Sequence, residues 1–464
     1  MNFNENLDYA LECDKFKDEC GVFGVYSNKS KDTARIVYYG LYSLQHRGQE
    51  SAGIATSNGN EINIHKGLGL ITEAFKEENF HKLKGNISIG HVRYSTTGDT
   101  TTQNAQPLID KTNHIAMAHN GNLINIEILK ELLEANGYKF DTTIDTEILM
   151  ALIERGIKTK GFEKAIIDSV QAIKGSFALV FTTKNKLIGI RDPYGIRPLS
   201  LGKIDDDYIL SSESCGIEAI GGEFIRDIEP GEIIIIDEDG CKSIKYCENT
   251  FCQTCTFEYV YFARPDSHID GLSVQETRVK FGEKLFEEFP IEADIVSGVP
   301  DSGLSAAIGY ARASKIPFDN VFIKNRYVGR TFIVPGQENR ERILQIKLNP
   351  LKVNVENKRI VLIDDSIVRG TTSKYLVNSL KKAGAKEVHL LIASPVVKYP
   401  CYFGIDTPYR SQLIGANHSI EEIKEIIGVD SLGYLSMESM KEVLKQKGVC
   451  VGCFNGVYPV STSL

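Results

Sequence analysis

The sequence predicts two folds in succession: an α+β half with layered antiparallel sheets, then an α/β half built on a doubly wound parallel sheet. Three observations carry this. The chain has 464 residues, room for roughly two to four domains. Its first part is a series of short apolar or alternating runs separated by Gly, Asp and Asn. After Gln275 the pattern changes to strand, loop and helix repeated.

In the first part the expected strands are Val22 to Tyr26, Ile87 to Ile89, Phe177 to Phe181, Leu187 to Ile190, Tyr208 to Ser211 and Glu232 to Ile236. Two amphipathic stretches read as helices: Asn125 to Ala135, closed by Asn136-Gly137, and Thr146 to Arg155. In the second part Asp294 to Val299 leads through a Gly-rich turn to a helix at Ser305 to Arg312. Arg359 to Ile363 leads through a polar loop to a helix at Thr372 to Ala383, and Val388 to Ala393 is a third buried strand. Ligands of such sheets sit at the carboxyl ends of the strands. The join is expected near Cys247 to Tyr259, giving domains of 20–250 and 251–464.

Composition narrows the function. With 42% hydrophobic and 25% charged residues the chain is neither disordered nor fibrous. It has no apolar run long enough to span a bilayer as a helix. A formal charge of −8 leaves no global footprint for nucleic acid or an anionic membrane. Residues 1–19 carry six acids and two lysines, unlike a secretory signal, so the expected location is the cytoplasm. Ten cysteines are too dilute for a disulfide scaffold, and a subset reads as catalytic or metal-binding.

Cys20 stands at a strand start between an acidic pair and a glycine. Alone it would be a small hydrophobe at a strand edge. Other segments change that reading: His91-Val92-Arg93-Tyr94-Ser95-Thr96, His119-Asn120-Gly121-Asn122 and Thr143-Ile144-Asp145-Thr146. Together they supply what hydrolysis of a glutamine amide needs: a thiol nucleophile, two donors for an oxyanion, an arginine for the α-carboxylate and a carboxylate for the α-ammonium.

With Gln45-His46-Arg47-Gly48-Gln49-Glu50-Ser51, these motifs resemble the N-terminal-nucleophile (Ntn) glutamine amidotransferases. The resemblance implies an Ntn hydrolase fold and a propeptide, residues 1–19, removed between Glu19 and Cys20. The α-amino group so released, with a pKa of roughly 8, can act as base for its own thiol, which an internal amide cannot. It also implies that Arg93 and Asp145 hold glutamine, that Asn120 and Gly121 form the oxyanion hole, and that Arg47 lies in a loop beside the substrate.

Arg359 to Thr372 is the most specific local signal. A buried strand delivers Asp364 and Asp365, and a loop through Ser366, Arg369, Gly370, Thr371 and Thr372 opens a helix. N–H groups and hydroxyls at a helix start suit a phosphate, and the carboxylates suit ribose hydroxyls or a Mg²⁺-linked sugar. This resembles the type I phosphoribosyltransferases, which bind 5-phosphoribosyl 1-pyrophosphate (PRPP). The resemblance implies that Asp301, Ser302 and Gly303 take the pyrophosphate and that Ser302 joins Asp364 and Asp365 around one Mg²⁺. Lys324 to Lys347, with six basic and two acidic residues, is expected to be a lid.

The combination resembles the glutamine phosphoribosylpyrophosphate amidotransferases, which begin purine synthesis. This implies ammonia passing from glutamine to PRPP, AMP, GMP or ADP as inhibitors, and a homotetramer. By spacing alone, Cys252-Gln-Thr-Cys255 and Cys450-Val-Gly-Cys453 suggest a four-thiolate zinc site. The iron–sulfur branch of the family implies another set, Cys255, Cys401, Cys450 and Cys453, around one [4Fe–4S] cluster. Rival readings are an Ntn amidotransferase acting on another sugar phosphate and a PRPP-sensing regulator that binds DNA. The Asp364 loop speaks against the first, and the acidic charge and intact Cys20 set against the second.

Overall fold

The computed structural model describes residues 20–29, 32–94, 101–325, 327, 346–407, 409–445 and 448–461. The expected propeptide, Ser95, Thr96 and most of the expected lid lie outside the described residues.

The first half is four layers deep. A seven-stranded antiparallel sheet runs in the order β11-β9-β10-β1-β4-β2-β3, and a six-stranded one in the order β13-β12-β8-β7-β6-β5. These strands are β1 (Gly21–Tyr26), β2 (Ser51–Ser57), β3 (Ile62–Leu68), β4 (Ile87–Arg93), β5 (Leu108–Ile109), β6 (Ala116–Leu123), β7 (Gly175–Thr182), β8 (Leu187–Arg191), β9 (Ser200–Ile204), β10 (Asp207–Ser211), β11 (Glu223–Asp227), β12 (Glu232–Asp237) and β13 (Gly240–Lys245). Val22, Ile87 and Ile89 meet Ala116, Ala178, Val180, Ile234 and Ile236 between the two sheets. Outside the first sheet lies helix α1 (Thr33–Ser43), with Val37 and Leu41 against Phe23 and Val25. Outside the second lie α2 (Ile126–Ala135), α3 (Asp145–Lys160) and α4 (Phe162–Ala172).

Being covered on both faces explains the unbroken apolar strands. In β12, Ile234 and Ile236 face the inter-sheet core while Ile233 and Ile235 face the helices. Each fully buried aliphatic side chain contributes about 1.5 to 3 kcal/mol, so neither face tolerates a polar residue cheaply. Helix α1 was not legible in the sequence. Gly40 reads as a breaker, but a side chain there would meet the Phe23 ring at 2.5 Å, so the glycine is a packing requirement.

The second half has a parallel sheet in the order β15 (Ile295–Gly298), β16 (Arg359–Asp364), β17 (Glu387–Ile392) and β18 (Ser431–Tyr434). Helices α5 (Val274–Glu288) and α6 (Leu304–Ser314) pack on one face with Val296, Val361 and Ile363. On the other face α7 (Thr371–Lys382) packs with Ile360, Leu362 and Leu390. This is the expected doubly wound arrangement. No helix among the described residues is long and apolar enough to cross a membrane.

Candidate active site

Cys20 immediately precedes β1, which pairs with β10 on one side and β4 on the other, so the centre of the sheet holds its backbone. Its half-buried Sγ lies 3.4 Å from the Tyr94 carbonyl oxygen. Beside it is a small pocket whose lining includes Cys20, Arg93, Gly121 and Asp145. A larger hollow, lined by Phe251, Cys252 and Asp270 among others, contains none of these residues.

Three different elements deliver Arg93, Asn120, Gly121 and Asp145. Arg93 is the buried last residue of β4. Asn120 and Gly121 are central in β6, paired with Ala178 and Phe177 of β7. Asn120 is 2% exposed, and its Nδ2 has no acceptor among the described residues. A buried donor without a partner is costly unless a ligand completes it. Asp145 opens α3, where its carboxylate accepts from the Leu123 N–H at 3.1 Å and lies 3.3 Å from His119 Nδ1. Burial raises its pKa, but the His119 charge and hydrogen bonds from His119, Leu123 and Thr146 outweigh this and hold it below the ordinary value. Beneath the strand, burial and the Arg93 charge push His91 down to about 3, so it is neutral at physiological pH.

Arg47 is adjacent to Cys20 but does not line this pocket. Its fully buried guanidinium binds Glu213 at 2.6 Å and Glu258 at 2.7 Å, and its Nε donates to the Cys20 carbonyl at 3.1 Å. The structure thus places it behind the nucleophile, tying the backbone of Cys20 to two carboxylates. Burial acts to raise the pKa of Glu213, but His46 and Arg47 hold it well below its usual value.

At the end of β16, Asp364 and Asp365 are each 1% exposed and Ser366 is 3% exposed. Within the turn the Asp365 N–H donates to Asp364 at 2.9 Å and the Ser366 hydroxyl to Asp365 at 2.6 Å. Gly370 is the N-cap of α7 with φ 83°, Thr371 is exposed, and Arg369 donates to Gln412 at 3.2 Å. Thr372 is half-buried in the first turn of α7. The loop before α6 packs tightly on β16, since a Cβ at Gly303 would stand 2.2 Å from the Ile363 carbonyl oxygen. In that loop Ser302 is half-buried, and the exposed Asp301 is ion-paired with Lys324, the first residue of the basic segment.

The four cysteines also gather. Cys255 and Cys450 are register partners in a short parallel ladder of β14 (Thr254–Cys255) and β19 (Val449–Cys450). The backbone N–H groups of Lys398 and Tyr399, just before Cys401, both donate to the Cys453 carbonyl. Burial first, then the charges of Cys450, Cys255 and Cys401, push the Cys453 thiol well up, and burial with Cys401 pushes Cys450 up to about 12. Among the described residues no three His, Cys, Asp or Glu side chains converge closely enough for a single metal ion.

Residues 91–219 match the glutamine amidotransferase domain family and residues 278–394 the phosphoribosyl transferase domain family. The amidophosphoribosyltransferase of Archaeoglobus fulgidus is 49% identical over 449 residues, covering 95% of this chain and 98% of that protein. The Methanocaldococcus jannaschii and Bacillus subtilis amidophosphoribosyltransferases are each 46% identical, over 462 and 451 residues. The chain belongs to the amidophosphoribosyltransferase family. It is an enzyme, a glutamine amidotransferase and phosphoribosyltransferase in one chain. A solved Bacillus subtilis glutamine PRPP amidotransferase, complexed with ADP and GMP, superposes with a TM-score of 0.90 at 46% identity, covering 96% of this chain and 98% of that one. A structure described as the allosteric regulatory enzyme of purine biosynthesis gives 0.91 at the same identity.

Several residues around Cys20 lie outside the sequence motifs. Gln106 lines the pocket and accepts from the His119 N–H at 2.7 Å. Nothing local marks Gln106 or Glu213. Glu258 stands in an aromatic run, Glu258 to Phe262, three positions after Cys255, and a buried carboxylate in such a run signals a cationic partner.

Proposed function

We propose that this chain forms phosphoribosylamine from glutamine and PRPP, with Cys20 as nucleophile once residues 1–19 are removed. We assign hydrolysis to 20–250 and phosphoribosyl transfer to 251–464. The observation that carries the reading is the convergence of Cys20, Arg93, Gly121 and Asp145 on one pocket beside the buried Asn120 Nδ2, which has no acceptor among the described residues.

In this mechanism Arg93 binds the glutamine α-carboxylate and the ionised Asp145 its α-ammonium. The Cys20 α-amine takes the thiol proton, and the sulfur attacks the side-chain amide. Asn120 Nδ2 and the Gly121 N–H receive the developing oxyanion. The α-ammonium returns the proton to the departing nitrogen, releasing ammonia and leaving a glutamyl thioester that water cleaves to glutamate. Arg47 holds the Cys20 carbonyl from behind the nucleophile.

Ammonia then attacks C1 of PRPP as pyrophosphate leaves, with inversion. Asp364 and Asp365 take the ribose side, Ser366, Arg369, Gly370, Thr371 and Thr372 the 5′-phosphate, and Asp301, Ser302 and Gly303 the pyrophosphate. Adjacent buried carboxylates near a serine suit Mg²⁺, which neutralises the leaving group when bound. A cation shared with substrate phosphates needs no all-protein cage. Cys255, Cys401, Cys450 and Cys453 suit a [4Fe–4S] cluster. Four cysteines from three separate segments gather there, two of them buried, and as thiolates they would need a cationic centre between them; ligands of a multi-iron cluster stand farther apart than those of one ion. We further propose cytoplasmic location, a homotetramer, and inhibition by AMP, GMP or ADP, the last two being bound in the Bacillus subtilis structure.

The test is glutamine hydrolysis with and without PRPP, alongside phosphoribosylamine formation from glutamine or ammonium. PRPP is expected to accelerate hydrolysis, and ammonium to support synthesis without Cys20. Glutamine turnover untouched by Cys20→Ser would overturn the assignment. A mature chain starting at Cys20, with iron and sulfide in equal amounts, is the expected composition. One zinc per chain and no iron would refute the cluster.

A further inference from the structure

The segment 401–404 belongs to the second half, yet it lies against the strand that carries Asn120 and Gly121. Strand β5 pairs only with Ala116 and Met117, so beyond them β7 is the sheet neighbour of β6. Along that stretch the Asn122 side-chain amide donates to the Tyr402 carbonyl at 2.9 Å. The fully buried Ser176 hydroxyl donates to the Phe403 carbonyl at 2.8 Å and accepts from the Asn122 N–H at 3.3 Å. Arg197 donates to the same Phe403 carbonyl through Nε at 3.0 Å.

The approach is as close as backbone allows. Gly404 has φ 102°, and a Cβ there would stand 3.1 Å from the Gly121 carbonyl carbon and 3.0 Å from an Arg197 nitrogen. On the Gly121 side, a Cβ would meet the Ser176 carbonyl oxygen at 2.1 Å. Gly121 is therefore held between β7 and segment 401–404, with Ser176 touching both.

We propose that segment 401–404 is the back wall of the oxyanion hole and that Ser176 is the positioning residue locking Gly121 against it. The inference rests on the reading of Cys20, Asn120 and Gly121 as the hydrolytic site. An oxyanion hole works only if its donors are held before charge develops, so loosening the wall lowers the rate without weakening glutamine binding through Arg93 and Asp145.

The test uses the full-length enzyme carrying Ser176→Ala, which deletes one buried hydroxyl, and separately Gly404→Ala, which pushes the wall off Gly121. Each is expected to lower kcat for glutamine hydrolysis by about tenfold, less than the ~10²–10³ for outright loss of a donor. KM for glutamine and the ammonium-supported rate should stay unchanged. Binding of the aldehyde analogue of glutamine, which forms an oxyanion on Cys20, should weaken by the same factor as kcat, whereas alkylation of Cys20 by iodoacetamide should not slow. Glutamine kcat within about twofold of the parent in both variants would overturn the proposal. So would equal loss of glutamine- and ammonium-supported rates, or a change confined to KM. Cys20→Ser serves as the control: if it leaves glutamine use intact, the site assignment fails, whatever the Ser176 variant does.

Discussion

The pocket beside Cys20 and the turn at Asp364 differ in how complete they are. Around Cys20, strands and a helix start hold Arg93, Gly121 and Asp145 facing one space, and the Asn120 amide donor has no acceptor among the described residues. At Asp364 the same kinds of groups are turned inward: Asp365 donates to Asp364 and Ser366 to Asp365, and all three are buried. The first opens on a pocket beside a buried donor with no acceptor among the described residues, while in the second a backbone N–H and a hydroxyl already donate to the two carboxylates. Under the proposed function, the hydrolytic site is preformed for glutamine, whereas the carboxylates at Asp364 take on a ligand beside hydrogen bonds they already accept.

The widest separation should come from disabling each site in turn. Cys20→Ser is expected to lower glutamine-supported synthesis by at least ~10⁴ and to spare the ammonium-supported reaction. Asp364→Asn should lower both by on the order of 10². Initial rates with each nitrogen source check this, and parallel losses in Cys20→Ser would erase the distinction between the sites.

Next in size is the support behind the nucleophile. Arg47→Met leaves Glu213 and Glu258 buried without their shared cation, which should cost about 3 to 5 kcal/mol in urea denaturation. An unchanged midpoint would mean that other groups carry those charges. Asn120→Ala should then lower glutamine kcat by about 10²–10³ with little change in KM, because its amide is used only when the oxyanion forms.

The smallest effect is on pH dependence. His91 has its folded pKa lowered from 6.5 to about 3, so its contribution to stability is present above 6.5 and is lost as pH falls from there toward 3. One proton taken up on unfolding gives a slope of at most about 1.4 kcal/mol per pH unit. His91→Gln should flatten the stability curve between pH 6 and 5 (roughly the range before carboxylates titrate). A parent curve already flat there would contradict the buried, neutral histidine.

Much of this was legible before any coordinates. The strands at Val22, Phe177 and Glu232 announced themselves because both of their faces are buried, so they read as unbroken apolar runs. The helix start at Asp145 and the β16-turn-α7 unit were equally plain, being local patterns of period and punctuation. Helix α1 was hidden because the reason for Gly40 is the ring of Phe23, distant in sequence.

By itself the sequence determined the two-part architecture and the kinds of chemical groups available, because periodicity and motif spacing are properties of neighbours along the chain. Only the tertiary structure decided that Arg47 backs Cys20 from behind, that Gln106 and Glu213 belong to that neighbourhood, and that a loop from the far half presses on Gly121. Those contacts join residues tens to hundreds of positions apart, and what selects them is the packing of sheets and buried charges against one another, which leaves no local pattern to read.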